Sequence, residues 1–154
     1  MNPRASLRAL ASLPLVLLCA THPVQDPQRA LPFEILRDRL PAELTMPIHH
    51  VFADRAEYEA FLGRRSSGVD FERESVVLYS AGLQEGGHHE ASILSIRLLP
   101  DTGVLEVTTL LDSDLCQVVP EPELPYVLAK FPLAGAKMPD VAFEQVHTIL
   151  ACGL

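Results

Sequence analysis

A hairpin motif is the sequence feature that most constrains the fold of this chain. The segment ASILSIRLL (91–99) alternates apolar and polar residues, with one face formed by Leu94, Ile96 and Leu98. The segment VLEVTTLL (104–111) alternates in the same way. Between them, Pro100-Asp-Thr-Gly103 is a turn motif, because proline fixes φ and glycine tolerates positive φ. The pattern predicts two antiparallel strands joined by a tight turn.

Further apolar segments extend this β structure. ESVVLYSAG (74–82) is a dense apolar strand, IHHVFA (48–53) and PYVLAKF (125–131) are shorter ones, and PFEILRDRL (32–40) is a weak one. The segment VAFEQVHTIL (141–150) fits a strand or a helix, and we interpret it as beginning as a strand. On a strand, neighbouring side chains such as His49 and His50 point to opposite faces, so they cannot bind one metal ion together.

One short helix is predicted at residues 54–62. Asp54 is placed to cap it, with Glu57 three positions later as in a capping box, and Gly63 is a natural stop. Tyr58 and Phe61 fall at helical spacing. The predicted fold class is therefore α+β: mainly antiparallel β-sheet with one short helix packed on it, after an N-terminal signal segment.

The N-terminal residues resemble an export signal. Arg4 and Arg8 precede an apolar run that is too short to span a bilayer as a helix. We interpret residues 1–20 as a signal peptide or lipoprotein signal, 21–30 as a flexible linker and 31–154 as a single domain. Cys19 is either the lipid anchor of a lipoprotein or part of a signal that is removed, and the preceding Leu18 is unusual for a lipoprotein. Both alternatives predict an exported protein in a bacterial periplasm or cell envelope.

Two cysteines remain beyond the signal, Cys116 and Cys152. In an oxidising compartment they are expected to form a disulfide, with two buried free thiols as the alternative.

The charge excludes some partners. Residues 1–20 hold two of the 12 basic residues and none of the 20 acidic ones, so the remainder carries a formal charge of −10. Such a chain repels phosphate backbones and anionic lipid heads. We therefore expect no nucleic-acid partner, and contact with a membrane only through a lipid anchor.

The sequence contains no established catalytic motif, so no catalytic residue, metal ion or cofactor is predicted. Two acidic residues near prolines, Glu121 and Glu123, are expected to be solvated. Six residues form the candidate partner-binding loop: Gln84, Glu85, Gly86, Gly87, His88 and His89. Loops held by rigid strands often carry recognition residues. The alternatives are a solvated turn or a partial metal site, which would need more ligands than two adjacent histidines supply.

Three segments resemble the C-terminal domain of the PrcB family, the accessory subunit of a surface protease complex. They are VDFERESVVLYSAG (69–82), ASILSIR (91–97) and PYVLAKFP (125–132). The matching positions are Asp70, Phe71, Ala81, Gly82, Pro125 and Tyr126. The family's Thr-Gly-Gly-Tyr loop corresponds roughly to Gly86-Gly87-His88-His89, so the aromatic tip is replaced by His89.

The resemblance implies an exported, non-enzymatic module that binds a protein partner, such as a protease or an envelope protein. One alternative is a protease inhibitor that acts through the loop at residues 83–90. Another is an envelope protein that binds a small ligand or a metal ion. The sequence leaves the oligomeric state open.

Overall fold

The computed structural model describes residues 29–66, 68–133 and 138–152. These residues contain one α-helix, α1 (Arg55–Leu62), and eight strands. The strands are β1 (Arg29–Ala30), β2 (Glu34–Ile35), β3 (Ile48–Phe52), β4 (Ser75–Ser80), β5 (His88–Leu98), β6 (Leu105–Asp114), β7 (Tyr126–Phe131) and β8 (Val141–Leu150).

The strands form two four-stranded sheets, in the orders β1-β5-β6-β8 and β2-β7-β4-β3. All six residues of β4 are buried, as expected for a strand covered on both faces. On one face Val77 and Tyr79 pack against the first sheet. On the other face Val76 and Leu78 pack with residues of α1. The molecule therefore has three layers: sheet, sheet and helix.

The helix follows its predicted capping residues. The Asp54 carboxylate accepts hydrogen bonds from the backbone N–H groups of Ala56 (2.8 Å) and Glu57 (3.0 Å). Gly63 ends the helix in the left-handed conformation, with φ 66°. The Tyr58 ring is fully buried against Phe52, at 5.1 Å between ring centroids. The predicted helix and its packing on a sheet are confirmed.

The predicted hairpin is β5 and β6, with Gly103 at φ 68° in its turn. One detail of the prediction is wrong, because the register shifts between Ile93 and Ser95. A bulge of this kind reverses the alternation of side chains. As a result Ile93 is buried with Ile96, whereas Leu94 is 51 % exposed.

The ambiguous segment at residues 141–150 is a strand along its whole length. β8 pairs with β6 in parallel, from Leu105 opposite Val141 to Asp114 opposite Leu150. The other sheet pairings between named strands are antiparallel, so the fold is mainly antiparallel as predicted. The helical alternative for this segment is wrong.

Most of the N-terminal interpretation falls outside the described residues, including the signal at residues 1–20 and Cys19. The end of the predicted linker differs from the prediction, since Arg29 and Ala30 pair with Leu98 and Arg97 as β1. The described part of the chain contains no helix long and apolar enough to cross a membrane.

Candidate recognition surface

Two loops and a preceding segment meet at one end of the stacked sheets, where β4, β6 and β8 end and β3, β5 and β7 begin. We call this region the loop end and define it as residues 44–47, 81–87 and 115–125. Gln84 and Glu123 join the two loops as an isolated antiparallel bridge, with N–O distances of 2.8 and 2.9 Å. The Leu83 N–H donates to the Thr45 carbonyl at 2.9 Å, which attaches the third segment.

Two glycines permit this close packing of backbone. Gly82 has φ 75°, and a Cβ atom there would lie 2.8 Å from the backbone nitrogen of Pro47. Gly87 has φ 118°, and a Cβ atom there would lie 2.8 Å from the Asp114 carbonyl oxygen. Both positions combine positive φ with contacts too short for a side chain, so each requires glycine.

The Glu123 carboxylate links the loop end to the first residues of β5. One oxygen lies 3.1 Å from Nδ1 of His88, and the other accepts the backbone N–H of His89 at 2.8 Å. The backbone N–H of His89, followed by the His88 side chain, lowers the pKa of Glu123 below its ordinary value of 4.5. Glu123 therefore joins two segments and is not the simply solvated acid that its proline-rich surroundings predicted.

The predicted partner-binding loop is shorter than expected. His88 and His89 are the first residues of β5, paired with Asp114 and Ser113 of β6. Since side chains alternate along a strand, the two rings point to opposite faces. The His88 side chain is 48 % exposed, whereas His89 is buried. Of the six predicted residues, Glu85, Gly86 and His88 are exposed, and Gln84 is half-buried against Glu123.

A hydrogen-bonded row crosses the first sheet next to this loop. Nδ1 of His89 and Nε2 of His147 each lie 2.9 Å from the Ser113 hydroxyl oxygen. One hydroxyl carries one proton, so it can donate to only one of the two rings and must accept from the other. Nε2 of His89 is buried and has no hydrogen-bond partner among the described residues.

This row lacks the geometry of a catalytic triad. Ser113 is 2 % exposed, so a substrate cannot reach its hydroxyl. The nearby carboxylate of Glu123 contacts the backbone of His89, so it does not orient the imidazole as a triad acid does. The row is suited to holding three strands in register.

A covalent link closes the same end of the molecule. Cys116 and Cys152 form a disulfide, with their Cα atoms 5.2 Å apart. It joins the residues just beyond β6 to those just beyond β8, and the Leu115 N–H donates to the Leu150 carbonyl beside it at 3.1 Å. The expected disulfide is therefore present, and the alternative of two buried thiols is wrong.

Exposed apolar side chains are concentrated at this end. Eight large apolar residues are exposed in the described part of the chain, and six of them lie in the loop end or in the adjoining last two residues of β8. These six are Met46, Leu83, Leu115, Val118, Ile149 and Leu150. Val118 is 94 % exposed, in a loop fixed by the disulfide and by Glu123. Clustered exposed apolar side chains are typical of protein-binding surfaces.

The other histidine pair lies in β3, just after the 44–47 segment of the loop end. His49 faces the space between the sheets, stacked on Tyr79 at 4.9 Å between ring centroids. His50 faces the helix, with its Nε2 atom 2.9 Å from a carboxylate oxygen of Glu57. The two rings therefore point to opposite faces of β3, as predicted for neighbouring residues of a strand. Among residues 29–66, 68–133 and 138–152, no group of three or more His, Cys, Asp or Glu side chains is placed to hold a metal ion.

The fold and this surface define a two-sheet α+β domain with a disulfide-closed, partly apolar loop end. Comparisons with protein-family models, with curated proteins and with solved structures found no match to this chain.

Proposed function

We propose that this chain is an exported, non-enzymatic module that binds a protein partner through its loop end. The observation that carries the proposal is the clustering of exposed apolar side chains on loops that are held rigidly. Met46, Leu83, Leu115 and Val118 are each at least 46 % exposed. A surface that is ordered before binding loses less conformational entropy when a partner arrives.

The rigidity of the surface comes from several independent restraints. The disulfide fixes residue 116, the bridge to Gln84 fixes Glu123, and the hydrogen bond to Thr45 fixes Leu83. Apolar anchors surrounded by polar groups such as Glu85 and His88 are a common arrangement in protein interfaces.

The resemblance to the C-terminal domain of the PrcB family supports the same class of function and adds a kind of partner. The segments that carry it, 69–82 and 125–132, flank the two loops of the loop end. In this proposal the partner is a protease of the cell envelope or another envelope protein. His89 stands where the family has an aromatic tip, and it is buried. In this proposal the partner is therefore contacted by the exposed apolar side chains of the loop end, including those of the 115–125 loop.

The proposal also includes export, with Cys19 as the candidate lipid anchor. If Cys19 is acylated, replacement of Cys19 with serine abolishes labelling by a fatty-acid analogue and releases the protein from the membrane fraction. If the signal is only cleaved, both measurements stay unchanged, and the protein acts from solution in the same compartment.

A binding experiment with matched variants tests the function. The wild-type protein, Leu83→Asp and Leu94→Asp are immobilised and exposed to an envelope extract of the source cell, and the retained proteins are identified by mass spectrometry. Leu83 and Leu94 are 46 % and 51 % exposed, so the two substitutions should change the stability of the fold by similar amounts. Only Leu83 lies in the loop end. We expect a partner that is retained by the wild type and by Leu94→Asp.

The same partner should bind Leu83→Asp at least tenfold more weakly, a loss of about 1.4 kcal/mol, as for a contributing interface residue. Equal retention by all three proteins would contradict the proposed surface. If the partner is a protease, its activity with and without bound protein distinguishes an accessory subunit from an inhibitor acting through residues 83–90.

A further inference from the structure

β8 is an edge strand of the first sheet in the part of the chain that the structure describes. Its ten residues pair with β6 on one side, and no other described strand pairs with it. Edge strands of soluble proteins are commonly blunted by lysine, proline or a bulge. The segment VAFEQVHTIL contains neither lysine nor proline, and its register with β6 has no shift. Such an edge is ready to pair with another strand.

The backbone of β8 defines which groups are free. The Leu105 N–H donates to the Asp140 carbonyl, and the Leu115 N–H donates to the Leu150 carbonyl. In a parallel ladder, alternate residues direct both their N–H and C=O groups to the same neighbour. The even-numbered residues therefore face β6. The backbone groups of Val141, Phe143, Gln145, His147 and Ile149 face outward.

The sequence of β8 is symmetric in polarity about its centre. From Ala142 to Leu150 it reads two apolar residues, two polar, one apolar, two polar and two apolar, and Val146 is the central residue. A palindrome of this kind suits self-pairing in an antiparallel direction, because a two-fold axis brings each residue opposite its mirror position, which here has the same polarity.

We propose that β8 pairs with β8 of a second copy of this chain, antiparallel, with the two-fold axis through Val146. When the two-fold axis is perpendicular to the sheet, the inner faces of the two copies lie on the same side of the joined sheet. Two residues that pair must therefore both be even-numbered or both be odd-numbered. An axis through Val146 satisfies this condition. Val146 then lies opposite Val146 of the second copy, in a pair that exchanges no backbone hydrogen bonds. Gln145 lies opposite His147 of the second copy, and their outward-facing backbone groups bond to each other.

This register matches side chains by type. On the face toward the second sheet, Phe143 lies opposite Ile149 of the second copy. On the outer face, Glu144 lies opposite Thr148 and Ala142 lies opposite Leu150 of the second copy. Directly opposed residues have Cβ atoms roughly 5 Å apart, close enough for their side chains to touch. In this register apolar residues lie opposite apolar ones, and no like charges are opposed.

The pairing accounts for two exposed residues that the loop end does not use. Ile149 and Leu150 are 58 % and 59 % exposed in the single chain, and both gain an apolar neighbour in the pair. The two first sheets join into one sheet of eight strands. Because the two copies of β8 run in opposite directions, the two loop ends point away from each other, and each stays free for its own partner.

A charge-exchange experiment tests the register. Val146→Lys and Val146→Glu each place two like charges at the axis, so each variant should be monomeric by light scattering and native mass spectrometry, whereas the wild type is a dimer. An equimolar mixture of the two variants should form a heterodimer, because opposite charges then meet at the axis. Rescue by mixing requires that the two copies of residue 146 lie close together, as an axis at Val146 places them.

Two further variants keep the test decisive. Leu94→Lys removes an exposed apolar residue of the same sheet on a strand that does not adjoin β8, and it should leave the dimer intact. If a charged variant melts at a lower temperature, Gln145→Pro replaces it, because this proline removes an outward N–H and no bond to β6. A wild type that is monomeric up to its solubility limit would overturn the proposal, as would dimeric Val146→Lys or Gln145→Pro.

Discussion

Two His-His dipeptides lie in strands of this molecule, His49-His50 at the second and third residues of β3 and His88-His89 at the first two of β5. Their surroundings are alike in one respect and different in another. In each, one ring faces the space between the sheets and the other faces outward toward a glutamate. His50 lies beside Glu57, and His88 lies beside Glu123. The inward rings, of His49 and His89, each have a buried Nε2 atom without a hydrogen-bond partner among the described residues.

The difference lies in what holds each inward ring. His49 is held by ring packing, between Tyr79 at 4.9 Å and Phe143 at 5.0 Å between ring centroids. His89 is held by a polar row through Ser113, beside a disulfide and a glutamate. The same dipeptide is thus stabilised once by burial among aromatic rings and once by hydrogen bonds and covalent closure. The two surroundings should respond differently to substitution, to reduction and to pH.

The largest effect is expected from removing the disulfide. Replacing both Cys116 and Cys152 with serine should lower the free energy of unfolding by about 2–4 kcal/mol, because the unfolded chain is then less constrained. Amide hydrogen exchange should accelerate more at His89, which lies near the disulfide, than at His50, which lies on a different sheet. Equal acceleration at both amides would remove the distinction between the two dipeptides.

The next largest effect separates the inward ring from the outward ring within one dipeptide. His89→Ala should cost about 1–3 kcal/mol, because it empties a buried site and leaves Ser113 with one partner fewer. His88→Ala should cost no more than about 0.5 kcal/mol, as for an ordinary exposed residue. Urea denaturation of the two variants measures both values. Similar costs would mean that the burial of His89 and its hydrogen bond to Ser113 add nothing to stability.

This contrast also marks the limit of prediction from the sequence. His49 and His50 are flanked by Ile48 and Val51, so local apolar character identified their strand and their opposite faces. His88 and His89 follow Gly86-Gly87 and precede Glu90, so local composition predicted that both histidines belong to a loop.

The missing information was not local. β5 begins at His88 because the polar end of β6 is its partner, and Ser113 and Glu123 are 24 and 34 residues from His89. Hydrophobic patterns identified the hairpin, the capped helix and the buried β4, since those elements are determined by burial. Polar partners brought together by the fold leave no periodic pattern in the sequence. The hydrogen-bonded row through His147 and the contacts of Glu123 with His88 and His89 were therefore not predicted.

A smaller effect concerns pH and the ring-packed dipeptide. Burial lowers the pKa of His49 below its ordinary value of 6.5. The unfolded state then binds a proton at a higher pH than the folded state does. Stability is fully present above pH 6.5 and falls as the pH drops from 6.5 toward the lowered pKa.

The variant His49→Phe keeps a ring between Tyr79 and Phe143 and removes the titrating group. Its free energy of unfolding should change less than that of the wild type between neutral and mildly acidic pH. Denaturation curves at a series of pH values measure the difference. Parallel pH profiles for the two proteins would indicate that His49 does not contribute to the acid sensitivity.

The smallest effect is expected at the two outward rings, whose contacts with glutamate are both partly exposed. The His50–Glu57 and His88–Glu123 distances are 2.9 and 3.1 Å, and both histidine side chains are close to half exposed. Exposed pairs of this kind contribute little to stability, because solvent weakens the interaction and ordering the side chains costs entropy. Double-mutant cycles with histidine to alanine and glutamate to glutamine should give small couplings at both sites.

Two further measurements distinguish the His50–Glu57 contact from the His88–Glu123 contact. One varies the salt concentration, and the other uses the hydrogen bond that Glu123 accepts from the His89 backbone. Where a histidine is protonated, added salt should reduce its coupling to the glutamate, since salt screens exposed charges. Glu123→Gln alone should still cost more than Glu57→Gln alone, because the glutamine side chain replaces a charged acceptor of the His89 N–H with a neutral one, and charge-assisted bonds are roughly twice as strong. Equal single-variant costs would mean that the bond from the His89 backbone adds nothing to the exposed pair. The two dipeptides would then differ only in their inward rings.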